Sequence, residues 1–330
     1  MPGLDIFSPQ ISVISKGLEG KIIMIYGGNN LGKTLQSTRM KNPLVLGFES
    51  GLNAINGVRY MNIQTWSDFR SVNKQLTSLA TIEKAKQNYS TIVFDEVYAS
   101  SQFCQDYICN KYKSPSIGEG NGGYGLWKEY ETEYWKEINR IANAGYTVIF
   151  IAHEQELKDG SMYPKGDKRC ISPIVDNCDI VAYLHSNGVD DEGRVIKSSA
   201  YLAEVPGQFF ARSRFDYIDT KITEFTAENL EKAIIEGVER QERQEQFKAV
   251  TFEEQKESRK VEKISFEDLK QKVLELGDQV AQAGYIAQLQ DIVKDSLGSD
   301  QMVAETTEKQ YESLEIILSD IETLIEEKNL

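Results

Sequence analysis

The chain reads as an α/β protein, with a mainly parallel sheet flanked by helices and then a small C-terminal all-helical unit. Three observations predict this. Its short apolar runs are continuous rather than alternating, as expected of strands covered on both faces. Helical segments fall between those runs, so each strand is joined to the next by a crossover. From Thr226 onward only helical periodicity remains.

In chain order, the runs at Lys21–Tyr26, Pro43–Phe48 and Tyr60–Ile63 predict the first three strands. Thr65-x-x-Asp68 is a capping box that opens an amphipathic helix. Thr91–Phe94 and Thr147–Ala152 complete the set, and beyond Asp179–Leu184 the texture changes. Residues 194–212 alternate in polarity and contain Gly207, which predicts a hairpin at the sheet edge. Residues 236–263 are mostly charged and read as a solvated helix or a flexible linker. Beyond them, Ser265-x-x-Asp268 caps a helix, and Ile286, Leu289, Val293 and Leu297 stripe a second, which Gly298 closes. Leu314, Ile317, Leu318, Ile321, Leu324 and Ile325 stripe a third. The expected division is a core at 1–225, a charged helical linker at 226–263 and an acidic helical domain at 264–330.

Composition excludes several classes. No stretch approaches the roughly 20 apolar residues that cross a bilayer. The first ten residues lack the basic and apolar pattern of a signal peptide. A cytoplasmic protein with no membrane partner is expected. Cys104, Cys109, Cys170 and Cys178 match no zinc or C-x-x-C spacing and read as reduced thiols. The histidines are His153 and His185 alone. Net charge is −14, but residues 1–150 hold 15 basic against 13 acidic side chains. The acidity lies toward the C-terminus, and the first half can still carry a local basic groove.

The strongest motif is Gly27-Gly28-Asn29-Asn30-Leu31-Gly32-Lys33-Thr34, a full match to G-x-x-x-x-G-K-[ST]. A polyphosphate needs many donors aimed at one place, and a glycine-bounded loop can turn successive backbone N–H groups inward. Lys33 is positioned for the β- and γ-phosphates and the Thr34 hydroxyl for Mg²⁺, with the following helix adding its positive end. The loop follows a predicted strand and precedes a predicted helix, the context the motif requires. About sixty residues on, Ile92–Phe94 ends in Asp95-Glu96. An aspartate there holds Mg²⁺ in phosphate-loop enzymes. ATP and Mg²⁺ are therefore the expected cofactors. Hydrolysis also needs a base for the attacking water, and both Glu96 and Glu49, at the end of the second strand, fit that role. His153 ends its strand where a polar side chain can sense the γ-phosphate.

In this order the pieces resemble the phage-encoded RecA-like nucleotide-binding proteins, which include single-strand annealing ATPases related to recombinases. The resemblance covers residues 15–225. It rests on Gly27–Thr34, Glu49-Ser50-Gly51, Tyr124-Gly125-Leu126-Trp127, Ala152-His153 and Arg212-Ser213-Arg214. It implies an ATPase that handles single-stranded DNA in recombination or annealing, as a homo-oligomeric ring or filament beside a single-strand binding protein. Arg212 and Arg214 resemble the Lys-x-Arg pair that such proteins insert into a neighbour's site, with Arg212 in place of the usual lysine. The loop also lacks the common proline.

Two stretches fit DNA independently. The first mixes Lys111, Lys113, Tyr124 and Trp127 with several glycines, and the second holds Lys165, Lys168 and Arg169. Aromatics stack bases while lysines neutralise phosphates. The competing readings are a helicase, helicase loader or other ring ATPase, a phosphate-loop kinase, and a nucleotide switch that binds a partner through the acidic tail. For the two basic stretches, ordinary solvated loops are the alternative.

Overall fold

A computed structural model describes residues 7, 9–49, 55–260, 264–298 and 301–330. It divides into two compact units, one of residues 11–258 and one of residues 1–10 with 259–330.

The larger unit starts with β1 (Ile22–Gly27), α1 (Lys33–Ser37), β2 (Pro43–Gly47), β3 (Tyr60–Asn62), α2 (Trp66–Thr77) and α3 (Ile82–Asn88). It continues with β4 (Thr91–Asp95), α4 (Val97–Tyr112), α5 (Trp127–Asn143), β5 (Thr147–Glu156), β6 (Met162–Pro164) and α6 (Lys168–Asn177). It closes with β7 (Ile180–His185), β8 (Ser199–Tyr201), β9 (Arg212–Ser213), β10 (Lys221–Ile222), α7 (Ala227–Glu245) and α8 (Phe252–Ser258). The sheet order is β10-β8-β7-β1-β5-β4-β2-β3, and β7 through β3 are all parallel. β6, β8 and β9 join antiparallel. This is the mixed, mostly parallel sheet of an α/β phosphate-loop NTPase. β5 lies between the strand that feeds the phosphate loop and the strand that ends in Asp95. The tips of β1, β5 and β4 therefore stand side by side.

The continuous apolar runs are explained by two cores. On one face Met24, Tyr26, Phe94 and Phe150 pack under α2, α4, α5 and α6. Phe94 anchors an aromatic cluster, with Phe48 stacked at 5.7 Å, Phe69 edge-on at 5.5 Å and Phe150 at 5.0 Å. On the other face Ile23, Ile25, Val93, Ile149 and Ile151 pack under Leu230, Ala233 and Ile234 of α7. Thr65 and Asp68 form the expected capping box at α2. Inside the first core, Glu137 of α5 is fully buried and accepts from Asn73 of α2 at 2.6 Å, with Arg140 at 3.4 Å and Arg70 at 3.7 Å. Cys104, Cys170 and Cys178 are buried, and Cys109 is partly exposed.

Two expectations change. Residues 194–212 do not form a hairpin of their own, because β8 and β9 each pair with β7 and β8 continues to β10. Only the tight turn between Val205 and Phe209 keeps that character. Residues 227–245 are not a solvated linker. Charge count hid an apolar stripe that α7 buries on the sheet, and the Ala227 N–H donates to Gln36 Oε1 of α1 at 3.1 Å. The larger unit therefore runs to Ser258, and residues 261–263 of the expected linker lie outside the described residues.

The smaller unit contains α9 (Phe266–Gln282), α10 (Ile286–Leu297) and α11 (Tyr311–Lys328). Ser265 caps α9 by accepting from the Asp268 N–H. Leu314, Ile317, Leu318 and Ile321 of α11 are fully buried against Leu269, Val273 and Val280 of α9.

Candidate functional site

The phosphate loop leaves β1 at Gly27, whose backbone (φ +149) and tight surroundings require glycine. A Cβ there would stand 2.7 Å from the Leu184 carbonyl oxygen. Asn30 and Gly32 also take left-handed backbone, with φ +60 and +86, and these turns curl the loop. α1 follows at once but is only five residues long. Lys33 is 6% exposed, and its Nζ donates to the carbonyl oxygens of Gly27, at 2.8 Å, and Gly28. The ammonium is thus aimed back across the mouth of the loop. Burial holds its pKa below the ordinary lysine value, against the pull of Glu154, Asp95 and Glu96.

Asp95 at the tip of β4 reaches Thr34. Oγ1 of Thr34 lies 3.4 Å from Asp95 Oδ1, while Asp95 Oδ2 is buried with no hydrogen-bond partner among the described residues. Burial pushes this carboxyl up, the Thr34 hydroxyl opposes that, and Glu49 adds to it. A hydroxyl beside a carboxylate with a spare oxygen is a donor set that suits a hard, oxygen-seeking cation.

Glu96 is 4% exposed and its carboxyl is pushed up to about 7, first by burial and then by the Glu49 charge. Backbone hydrogen bonds at His153 and Ala99 and the Lys165 ammonium pull the other way. Glu49 is exposed at the end of β2. Ser50 and Gly51, which accompany it in the resemblance, lie outside the described residues. His153 pairs with Gly27 across β5 and β1, and burial followed by the Lys33 charge lowers its pKa, which favours neutral imidazole.

The remaining predicted residues divide. Arg169 lies over the Trp127 ring at 4.9 Å, so the two basic–aromatic stretches meet there. Tyr124 is 88% exposed on the glycine-rich loop beside them. Lys168 is exposed at the start of α6. Lys165 turns toward the nucleotide side: its N–H donates to the His153 carbonyl at 2.8 Å and its charge acts on Glu96. Lys111 and Lys113 are exposed at the end of α4, where Lys113 takes the left-handed cap.

Arg212 and Arg214 close the C-terminus of α6. Arg212 Nη2 donates to the carbonyls of Asp176 at 2.6 Å and Cys178 at 3.0 Å, and Arg214 Nη2 donates to that of Asp176 at 2.8 Å. Arg214 also pairs with Asp179 at 3.5 Å, not with Asp216 or Asp219 as a surface ion pair would have had it. Arg212 is level with Val181 and Gly27 with Leu184, so the arginines lie about three residues, roughly 10 Å, down β7 from the phosphate loop.

Sequence reading missed Glu154. The predicted strand stops at Ala152, but β5 continues to Glu156 because β6 pairs with its end. That extension sets the Glu154 carboxylate against Gly28. No strand signal marks it, because His153, Glu154, Gln155 and Glu156 are all polar and so look like loop.

A search of protein families matches residues 19–215 to the AAA domain. Among known proteins, the SPbeta prophage-derived uncharacterized protein YorG of Bacillus subtilis (strain 168) is 55% identical over 324 residues, covering 98% of this chain and 99% of its own length. No helix among the described residues is long and apolar enough to cross a membrane. The matched span contains every strand from β1 to β9 and all of the nucleotide-side residues described above, and the chain belongs to the AAA domain family.

Proposed function

We propose that this protein is a Mg²⁺-dependent ATPase of phage origin that acts on single-stranded DNA in recombination or annealing. The observation that carries the ATPase reading is the convergence of Lys33, Thr34 and Asp95 at the tips of adjacent strands, with one Asp95 oxygen buried and free of protein partners among the described residues. Thr34 and Asp95 would hold Mg²⁺, which when bound neutralises charge between the β- and γ-phosphates. Lys33 swings from the Gly27 and Gly28 carbonyls to the phosphate oxygens. Glu96 orients the attacking water and accepts its proton; a buried carboxyl near 7 is poised for that. His153 donates to the γ-phosphate oxygens from β5, and Lys165 reports on it through the same backbone.

The DNA reading is supported by Arg169 stacked on Trp127 at the foot of the glycine-rich loop that carries Tyr124. A cation on an aromatic face next to an exposed aromatic suits bases of any sequence. The prophage origin of the YorG relative agrees with a phage setting. We place the active form as a homo-oligomer, working beside a single-strand binding protein.

ATPase assays with and without single-stranded DNA test this reading. Wild type is expected to hydrolyse ATP faster with DNA present. Lys33→Ala should abolish turnover without unfolding, and Trp127→Ala with Arg169→Ala should abolish the DNA response alone. DNA-independent turnover would move the protein toward a nucleotide switch. Wild-type turnover by Lys33→Ala would end the ATPase assignment.

A further inference from the structure

We propose that Glu154 guards the phosphate loop: its carboxylate and a bound polyphosphate compete for the same mouth, so nucleotide binding must drive Glu154 and the β5–β6 ribbon outward. The inference rests on the nucleotide reading of the site and is independent of DNA.

The first ground is position. A Cβ built on Gly28 would stand 3.0 Å from Glu154 Oε1 and 3.8 Å from its Cδ, so the carboxylate lies directly against the loop that should face phosphate. A carboxylate is a poor lining for an anion site, because two like charges at this distance repel strongly away from bulk water. The second ground is the carboxylate's own bonding. Oε2 is buried and has no hydrogen-bond partner among the described residues, so the Tyr183 phenol, which hydrogen-bonds the side chain, does not satisfy both of its oxygens. Tyr183, across β1, reports the same carboxylate: burial and then Glu154 push its phenol up to about 12.

The fold gives the displaced acid somewhere to go. β5 is paired with β4 up to Phe150 and with β1 up to His153, whereas Glu154, Gln155 and Glu156 pair with β6, whose Met162 is bonded on its far edge to Gln208 and Phe210. Outward movement of the ribbon would therefore spare the β1–β5 and β4–β5 ladders and pull on the turn at 205–210. The ribbon returns at Lys165, bonded to the His153 carbonyl, and leads into α6 and the Arg169–Trp127 stack. One carboxylate would thereby connect phosphate occupancy to residues 157–169.

The test measures binding of a non-hydrolysable ATP analogue with Mg²⁺ to the full-length protein by calorimetry, for wild type, Glu154→Gln and Glu154→Ala. Both variants are expected to bind about tenfold tighter, within the ordinary range of coupling between groups that share a site. Hydrogen exchange of residues 157–169 in wild type supplies a readout that needs no variant. It should change on adding the analogue, and Glu154→Gln should show much of that change without it. Wild type that binds the analogue, with variants of equal or weaker affinity and no change in exchange at 157–169, overturns the guard. Wild type that takes no nucleotide overturns the site reading together with it.

Discussion

Two glutamates stand near the reacting end of the site, and their different burial separates them at the level of single residues. Glu96 is buried and titrates near 7, whereas Glu49 is exposed and raises the Glu96 pKa by its charge. If Glu96 is the base, kcat should rise with pH through about 7, and Glu96→Gln should cost at least roughly a hundredfold in turnover while ATP still binds. Glu49→Gln should instead shift that limb to lower pH, because it removes a charge that holds the proton on Glu96. Equal small losses from the two variants would leave neither as the base. The same residue acts on stability. A carboxyl whose folded pKa lies above its unfolded value favours folding fully below about 4.5, and that contribution is lost as pH rises through 7. Glu96→Gln should therefore raise the denaturation midpoint at pH 8 and leave it nearly unchanged at pH 4. The residues of the phosphate loop and Asp95 were legible because their chemistry is written in contiguous motifs. Glu154 was not, because its role depends on a strand extension that exists only through pairing with β6.

Elements carry their own predictions. α2 and α5 are joined through Glu137, which Asn73 and two arginines hold inside the core. Removing the acceptor should cost about 1.5–3 kcal/mol, the worth of hydrogen bonds to a charged group, since both guanidiniums can turn to water. Chemical denaturation of Glu137→Ala against wild type reads this directly, and an unchanged midpoint would show the contact to be idle. Parallel strands were easy to read because burial on both faces makes them uninterrupted apolar runs. The edge was harder: β8, β9 and β10 are two or three residues long, and their partners are fixed by tertiary pairing rather than by local pattern. α7 was misjudged for a related reason. Its charged residues outnumber its apolar ones, and only the spacing of Leu230, Ala233, Ile234 and Val238 betrays the buried face. Arg212 and Arg214 show the limit of motif transfer. Their fit to a trans-acting pair is a matter of sequence, but in this fold both have work at the C-terminus of α6.

For the whole molecule, the boundary at Ser258 predicts that a fragment of residues 11–258 folds alone. Its circular dichroism and a cooperative thermal transition would establish this, and an unfolded fragment would refute the division. The segment removed after Ser258 carries 8 basic and 16 acidic residues. The fragment should therefore bind single-stranded DNA more tightly, with the gain fading as salt screens the lost repulsion. Assembly is tested by mixing. Arg214→Ala and Lys33→Ala should each be inactive alone, and together they should recover part of the turnover if an arginine enters a neighbour's site. No recovery, with assembly confirmed by light scattering, would leave Arg214 as a cap of α6 alone.

The unequal burial of the four thiols has a practical side. Cys104 and Cys178 are held deep in the core, and burial pushes the Cys170 thiol up to about 12, so none of the three offers thiolate to a reagent at neutral pH. Cys109 stands partly open on the last turn of α4, close in sequence to Lys111 and Lys113, and although desolvation and then the Asp106 charge raise its thiol too, it is the one a reagent can reach. A maleimide dye at pH 7.5 should thus attach once per chain, visible as a single mass increment, without any cysteine being engineered in or out. The natural sequence already carries a fluorescent reporter position beside one of its two basic stretches.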